Sequence, residues 1–412
     1  MVFAMGETGA SAVTSVRTGL DVCVADGFAR LKGLRVGAIC NPTSVDRNFR
    51  HLADLLAAAE GLSLGALFGP EHGVRGTAQD MVAVEGGARD PRTGVVVHSL
   101  YGPTFDSLMP TPEMLEGLDA LVFDIQDVGA RYYTYVYTMA LCMRAAGRAG
   151  LAFFVLDRPN PLGGVEVEGN RVEEPYRSFV GMYDLPARHG MTAGELARLF
   201  NELHPPKERC ELHVIPCEGW DRRVGWAATG LPWIPPSPNM PTPDTALVYP
   251  GMCLVEGTNL SEGRGTTRPF ELFGAPFLDP WELAEALGSE DLPGVRFRPC
   301  HFEPTFQKHA KTICGGVMLH VDDPQAFRPF RTGVACILWA HRLGGEAFAW
   351  RTETYEYRDD VPAIDLLYGS PGLREAAAAG RSVAELAAEW EPVESRFREI
   401  RAQHLLYEEG RP

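Results

Sequence analysis

The chain has 412 residues, 45% hydrophobic and 22% charged, and its 54 Asp and Glu against 38 Lys and Arg give a formal charge of −16. That much apolar material at this length favours two domains over one. A polyanionic surface repels phosphate backbones, so nucleic acid is excluded as a general partner, and an anionic ligand would need arginines gathered locally to hold it.

Residues 1–19 are small and polar with one arginine. They hold no apolar run of signal-peptide length, and nothing further along approaches a membrane span. Nine cysteines are scattered without a C-x-x-C pair, so neither zinc nor redox chemistry is indicated. Reduced, buried thiols, a cytoplasmic location and no membrane partner are the expectations.

Strand-like and helix-like stretches alternate along the first half. Leu34 to Cys40, Leu62 to Phe68, Val95 to Leu100, Ala120 to Ile125 and Ala152 to Asp157 are apolar runs. Helical patterns fall at about 48–60 and 132–149. Near-continuous apolar strands separated by helices describe a parallel sheet covered on both faces, an α/β Rossmann-like layer. Thr192-Ala193-Gly194-Glu195 is a capping box opening a helix to about Leu203, and Glu211 to Cys217 reads as a further strand. The run from Trp220 to Pro243, rich in Pro and Trp, forbids a regular element and marks either a boundary or a crossover lining a site. Beyond it strands (Val295 to Phe302, Gly315 to Val321) mix with helices near 280–287, 331–343, 382–390 and 394–406, an α+β pattern. The division expected is a Rossmann-like α/β domain over 20–242 and a smaller α+β domain over 243–412.

Loops leaving the carboxyl ends of parallel strands converge on one edge of the sheet. Four such loops are unusually polar. Asn41-Pro42-Thr43-Ser44 follows the first strand, and Gly69-Pro70-Glu71-His72-Gly73 the second. Gln126-Asp127-Val128-Gly129-Ala130-Arg131-Tyr132 follows the fourth run, and Arg158-Pro159-Asn160-Pro161 the fifth. Glu71 stands between chain-bending residues, where desolvation favours the neutral acid that a proton donor must be; an ion pair with Arg75 is the bland alternative. Asp124 reads as structural and Asp127 as a candidate for the site. Arg158 and Asn160 suit polar recognition or a rigid turn equally well. From Glu256 to Glu271, sixteen residues hold three carboxylates, two arginines and three glycines. That composition makes a shaped loop in which Arg264 or Arg268 could grip an anion. Fingerprints for a dinucleotide, a Walker phosphate loop, a serine nucleophile elbow or a zinc helix are missing, so no cofactor or metal is expected.

Together with Phe302-Glu303-Pro304-Thr305-Phe306-Gln307-Lys308-His309-Ala310, the four motifs around Glu71, Asp127, Asn160 and Glu262 resemble the family of exo-β-N-acetylmuramidases, once catalogued as a domain of unknown function. The likeness spans about residues 20–410. It implies a glycoside hydrolase that removes terminal N-acetylmuramic acid from the non-reducing end of peptidoglycan fragments, with its active site between a Rossmann-like domain and a smaller one. The family's glutamate in Gly-Pro-Glu-His-Gly maps onto Glu71. Family members are often exported, and in this the expected cytoplasmic location departs from them. Glycoside cleavage also needs a second carboxylate or the substrate's acetamido group, with Asp127 and Glu262 as candidates. The lactyl carboxylate calls for an arginine among Arg75, Arg131, Arg264 and Arg268. Asn41, His72, Tyr132, Arg158, Asn160 and Asn259 complete the expected binding set. The rival class is a non-catalytic binder of sugars or muropeptide fragments, which would keep the aromatics and arginines without needing a buried Glu71.

Overall fold

The computed structural model describes residues 15–75 and 87–408, so most of the amino-terminal stretch read above for targeting signals lies outside the described residues. Helix α1 (Gly19–Ala25) leads into strand β1 (Arg35–Cys40), helix α2 (Leu52–Ala58), and strands β2 (Ser63–Gly69), β3 (Val96–Ser99) and β4 (Ala120–Asp124). Helix α3 (Tyr135–Ala149), β5 (Ala152–Leu156), α4 (Ala193–Leu203) and β6 (Glu211–Ile215) follow. The six strands lie in the order β3-β2-β1-β4-β5-β6, every neighbouring pair parallel. This is the expected α/β layer, and its strand order reverses between β1 and β4, where such sheets open a crevice at their carboxyl edge.

The apolar strands are buried on both faces. In β4, Leu121 and Phe123 join the core under α3 and α4, while Ala120 and Val122 join the opposite core with α1 and α2. Each large side chain fully buried this way contributes about 1.5–3 kcal/mol, which is why these runs were readable as strands. The box at Thr192 and Glu195 opens α4 as expected. Helix α3 ends at Gly150, whose φ of 69° suits glycine.

The Pro- and Trp-rich run holds only one short 3₁₀ turn, Trp226–Ala228. After it come α5 (Pro243–Met252), β7 (Leu272–Ala275), α6 (Pro280–Gly288), β8 (Val295–Phe302) and β9 (Cys314–Val321). The last helices are α7 (Pro329–Gly344), α8 (Ala363–Tyr368), α9 (Gly372–Ala379) and α10 (Val383–Ala402). Strands β7, β9 and β8 form a smaller antiparallel sheet in that order. Helix α5 and strand β7 were not foreseen. α5 contains Pro250 and Gly251, and a Cβ on Gly251 would sit 1.9 Å from the Pro329 carbonyl, so close approach to α7 explains a glycine that helix propensity disfavours. The two helices expected at 382–390 and 394–406 are one, because Trp390 and Phe397 bury against the same core on either side of Pro392.

The tail returns to the first sheet. Arg401 in α10 donates to the Gly164 and Gly190 carbonyls at 2.9 and 2.8 Å, and the Tyr407 hydroxyl donates to Asp157 Oδ2 at 2.6 Å. Among the described residues no helix is long and apolar enough to cross a membrane.

Candidate active site

Strand β2 delivers the chain into a tight turn, closed by Gly73 N–H donating to the Pro70 carbonyl at 2.9 Å. His72 sits at φ 68°, a left-handed conformation that costs a non-glycine residue of order 1 kcal/mol or more and that tends to collect at functional sites. The turn buries Glu71 and His72, which are 8% and 7% exposed. Both line an interior cavity of about 40 Å³, and the Thr134 hydroxyl donates to Glu71 Oε2 at 3.3 Å.

The cavity walls come from both halves of the chain. The loop between β4 and α3 supplies Tyr132, Tyr133, Thr134 and Tyr135; the Pro- and Trp-rich run supplies Ser237, Asn239 and Met240. From beyond α5 come Glu256, Arg264 and Phe270, and from further on Tyr355 and Glu356. The Pro- and Trp-rich run is therefore a wall of the cavity, fastened by Asn41 Nδ2 and the Tyr135 hydroxyl, which both donate to the Pro236 carbonyl. Edge-to-face contacts join Tyr133 to Tyr135 and Tyr249, and Tyr249 to Phe270. Burial pushes the Tyr132, Tyr133, Tyr249 and Tyr355 hydroxyls far up, so they act as neutral hydrogen-bonding groups.

Opposite the turn lies a charge cluster. Arg264 Nη2 donates to Glu256 Oε1 at 2.7 Å and Arg264 Nε lies 3.2 Å from Glu262 Oε1. Lys308 Nζ lies 3.0 Å from Glu262 Oε2, and the Tyr355 hydroxyl donates to Glu256 Oε2 at 2.7 Å. Burial alone would raise the Glu262 carboxyl, but Lys308 and Arg264 outweigh it and hold it below the ordinary value. Each carboxylate of the 256–271 loop has a cation, since Glu271 pairs with Arg268 at 3.2 Å.

Of the residues expected at the site, Glu71, His72, Tyr132 and Arg264 meet around the cavity; the others are engaged elsewhere. Asp127 folds back on its own loop, Oδ2 accepting from Gly129 N–H at 2.7 Å with His189 at 3.6 Å. Glu262 lies behind Arg264 and is held by Lys308. Arg131 is fully buried and donates to the carbonyls of Asn170, Leu185, Leu367 and Tyr368. Arg158 forks onto Asp124, Nε and Nη2 reaching the two carboxylate oxygens at 2.5 and 2.9 Å, the structural role expected of Asp124. Arg75 pairs with Asp90 at 2.9 Å and Asp54 at 3.6 Å. Asn160 shapes its turn by accepting from Leu162 N–H and donating to the Met191 carbonyl. Asn41 accepts from Thr43. Asn259 bridges Ala347 and Ala349, and Arg268 is half exposed beside Glu271. The physical reason is common to all nine: a polar group at a strand end or in a shaped loop must satisfy backbone or counter-charge first.

Sequence reading missed Glu256, Tyr249, Tyr355 and Glu356 as cavity residues. Glu256 carried a signal in the charge-dense loop; Glu356 carried none. Among the described residues no cluster of three metal-ligating side chains is present.

Two family models match the chain, that for the amino-terminal part of exo-beta-N-acetylmuramidase NamZ over residues 36–244 and that for its carboxy-terminal part over 247–407. The peptidoglycan beta-N-acetylmuramidase NamZ of Bacillus subtilis (strain 168) is 46% identical over 392 residues, covering 95% of this chain and 91% of that protein. Two crystal structures of DUF1343 family proteins from Bacteroides fragilis NCTC 9343 are similar in fold. One has a TM-score of 0.84 at 36% identity, covering 96% of this chain and 99% of the other. The second has a TM-score of 0.76 at 30% identity, covering 96% and 100%.

Proposed function

The chain belongs to the exo-β-N-acetylmuramidase family, and from that premise we propose that it is an exo-acting glycoside hydrolase releasing β-linked N-acetylmuramic acid from the non-reducing end of peptidoglycan fragments. The observation that carries the reading on the structural side is Glu71, a carboxylate buried on a strained turn at a cavity walled by both halves of the chain. In this reading Glu71 protonates the glycosidic oxygen, a contribution worth roughly 10²–10⁴ in rate. The five tyrosines of the cavity wall and Phe270 offer flat apolar faces to a sugar ring. Arg264, the one guanidinium among the described residues lining the cavity, is our choice for the lactyl carboxylate. A cavity of about 40 Å³ is far below the roughly 300 Å³ of a typical ligand site, so binding in this account widens the space between the β2 turn and the 355–358 segment.

The cytoplasm is the location we propose from composition: none of the nine cysteines forms a disulfide, the state a reducing compartment maintains.

The test is exo-specificity. Incubation with the disaccharide carrying N-acetylmuramic acid at its non-reducing end should release that sugar, read by mass spectrometry, and the reversed disaccharide should stay intact. Cleavage of both, or of neither, would contradict the reading.

A further inference from the structure

Residues 355–358 reverse the chain in two residues. Tyr355 N–H donates to the Arg358 carbonyl at 2.8 Å and Arg358 N–H to the Tyr355 carbonyl at 3.0 Å. The residues between, Glu356 and Tyr357, have φ of 46° and 68°. Two consecutive left-handed residues are the pattern of a type I′ hairpin turn, for which Asn-Gly is the favoured pair. A Glu-Tyr pair there is strained at both positions, and strain of this kind persists only where surrounding contacts over-determine it.

Those contacts are specific. The Tyr355 hydroxyl is fixed on Glu256, the Tyr357 hydroxyl donates to the Gly102 carbonyl across the cleft at 3.0 Å, and Arg358 donates to the Arg177 carbonyl at 2.8 Å. The hairpin tip is thereby held between the two halves of the chain, with Glu356 only 6% exposed. Glu356 lines the cavity that contains Glu71, and it also lines a neighbouring outer cavity of about 350 Å³ walled by Phe105, Phe179 and Tyr357. Glu356 thus stands on the wall that the two cavities share.

We propose that Glu356 is the second catalytic carboxylate, brought to Glu71 by the strained hairpin; this rests on the muramidase reading above. When the bond from the anomeric carbon to the leaving oxygen breaks, its electron pair leaves on that oxygen, which takes the proton of Glu71. The positive charge left on the sugar faces Glu356, and the oxygen of a water molecule bonds to the anomeric carbon as its released proton passes to the Glu356 carboxylate.

Three variants test this on a 4-nitrophenyl N-acetylmuraminide. Glu356→Gln and Glu356→Ala should each lose about 10²- to 10⁴-fold in kcat, and sodium azide should restore turnover to Glu356→Ala with a glycosyl azide as product. Glu356→Asn places at the turn a residue that tolerates positive φ, so it removes the carboxylate without adding backbone strain and should stay inactive. A carboxylate kept for structure alone would leave Glu356→Ala without azide rescue. Glu356→Ala within threefold of wild-type kcat, or inactive without azide rescue, overturns the assignment alone. A wild-type chain without activity on the muraminide overturns the muramidase reading and this proposal with it.

Discussion

The Thr134 hydroxyl donates to Oε2 of Glu71, although Thr134 occupies the N-cap of α3, where its side chain would ordinarily cap the helix and here makes no cap bond. The loop between β4 and α3 is thus tied to the β2 turn through the carboxylate assigned to catalysis. An intramolecular hydrogen bond is worth about 0.5–1.5 kcal/mol net. Thr134→Val should lower kcat/KM about tenfold, while the urea midpoint stays close to wild type because no cap bond is lost. Unchanged kcat/KM would separate Thr134 from the function of Glu71.

Recognition of the lactyl group is assigned to Arg264. Its guanidinium already forks between Glu256 and Glu262, so removing the charge would take a cation from two buried carboxylates, leaving Glu262 to Lys308 alone, and cost about 3–5 kcal/mol of stability. Arg264→Lys keeps the charge and loses the planar fork. Affinity for N-acetylmuramic acid relative to N-acetylglucosamine, measured by calorimetry, should fall about tenfold in that variant. Arg75→Met and Arg268→Met should leave the ratio unchanged. A selective loss in either of them instead would move the clamp.

Arg131 has a different task. It gathers carbonyls from residues 170 and 185 on one side and 367 and 368 on the other, and thereby fastens α8 to the β4–α3 loop. Arg131→Met strands the Asn170, Leu185 and Leu367 carbonyls, each costing about 1–3 kcal/mol, while the Tyr368 carbonyl keeps its bond from Asn170 Nδ2. The urea midpoint should fall by the equivalent of at least about 3 kcal/mol. A stable variant with altered sugar preference would return Arg131 to the binding site.

Asp157 makes stability depend on pH. Burial pushes its carboxyl up to about 6 from the usual 3.8, against hydrogen bonds from Tyr407, Thr192 and Gly194 that lower it. A folded-state value raised this way contributes stability below about pH 4 that is lost as pH rises through 6. Asp157→Asn keeps an oxygen for the Arg158 and Gly194 N–H groups and presents an amide that the Thr192 and Tyr407 hydroxyls can accept. Unfolding in urea at pH 4.5 and at pH 7.5 should show the variant gaining on wild type by roughly 2 kcal/mol over that span. Parallel curves would show that Asp157 does not titrate there.

The parallel sheet was readable because its strands are apolar on both faces, and β1, β2, β4 and β5 fall within a residue or two of the expected runs. β7 was not, since four residues with a central glycine carry neither periodicity nor length. Glu71 was readable because Pro70, His72 and Gly73 surround a charge at a strand end. Arg131 and Arg158 illustrate the limit: a strand-end guanidinium looks the same in sequence whether its partner is a substrate carboxylate, a backbone carbonyl or Asp124. Glu356 had no local signature, because its place at the cavity depends on a hairpin clamped by Gly102 and Glu256, residues remote in the chain.

The most direct test concerns Glu71 as proton donor. Wild type and Glu71→Gln should be compared on two muraminides, one with a 4-nitrophenolate leaving group that departs without a proton and one with a sugar hydroxyl that requires it. The account predicts that Glu71→Gln loses about 10²- to 10⁴-fold on the disaccharide and far less on the nitrophenyl glycoside, with sugar affinity intact. Wild-type turnover of the disaccharide by the variant, or equal losses on both substrates, would contradict it.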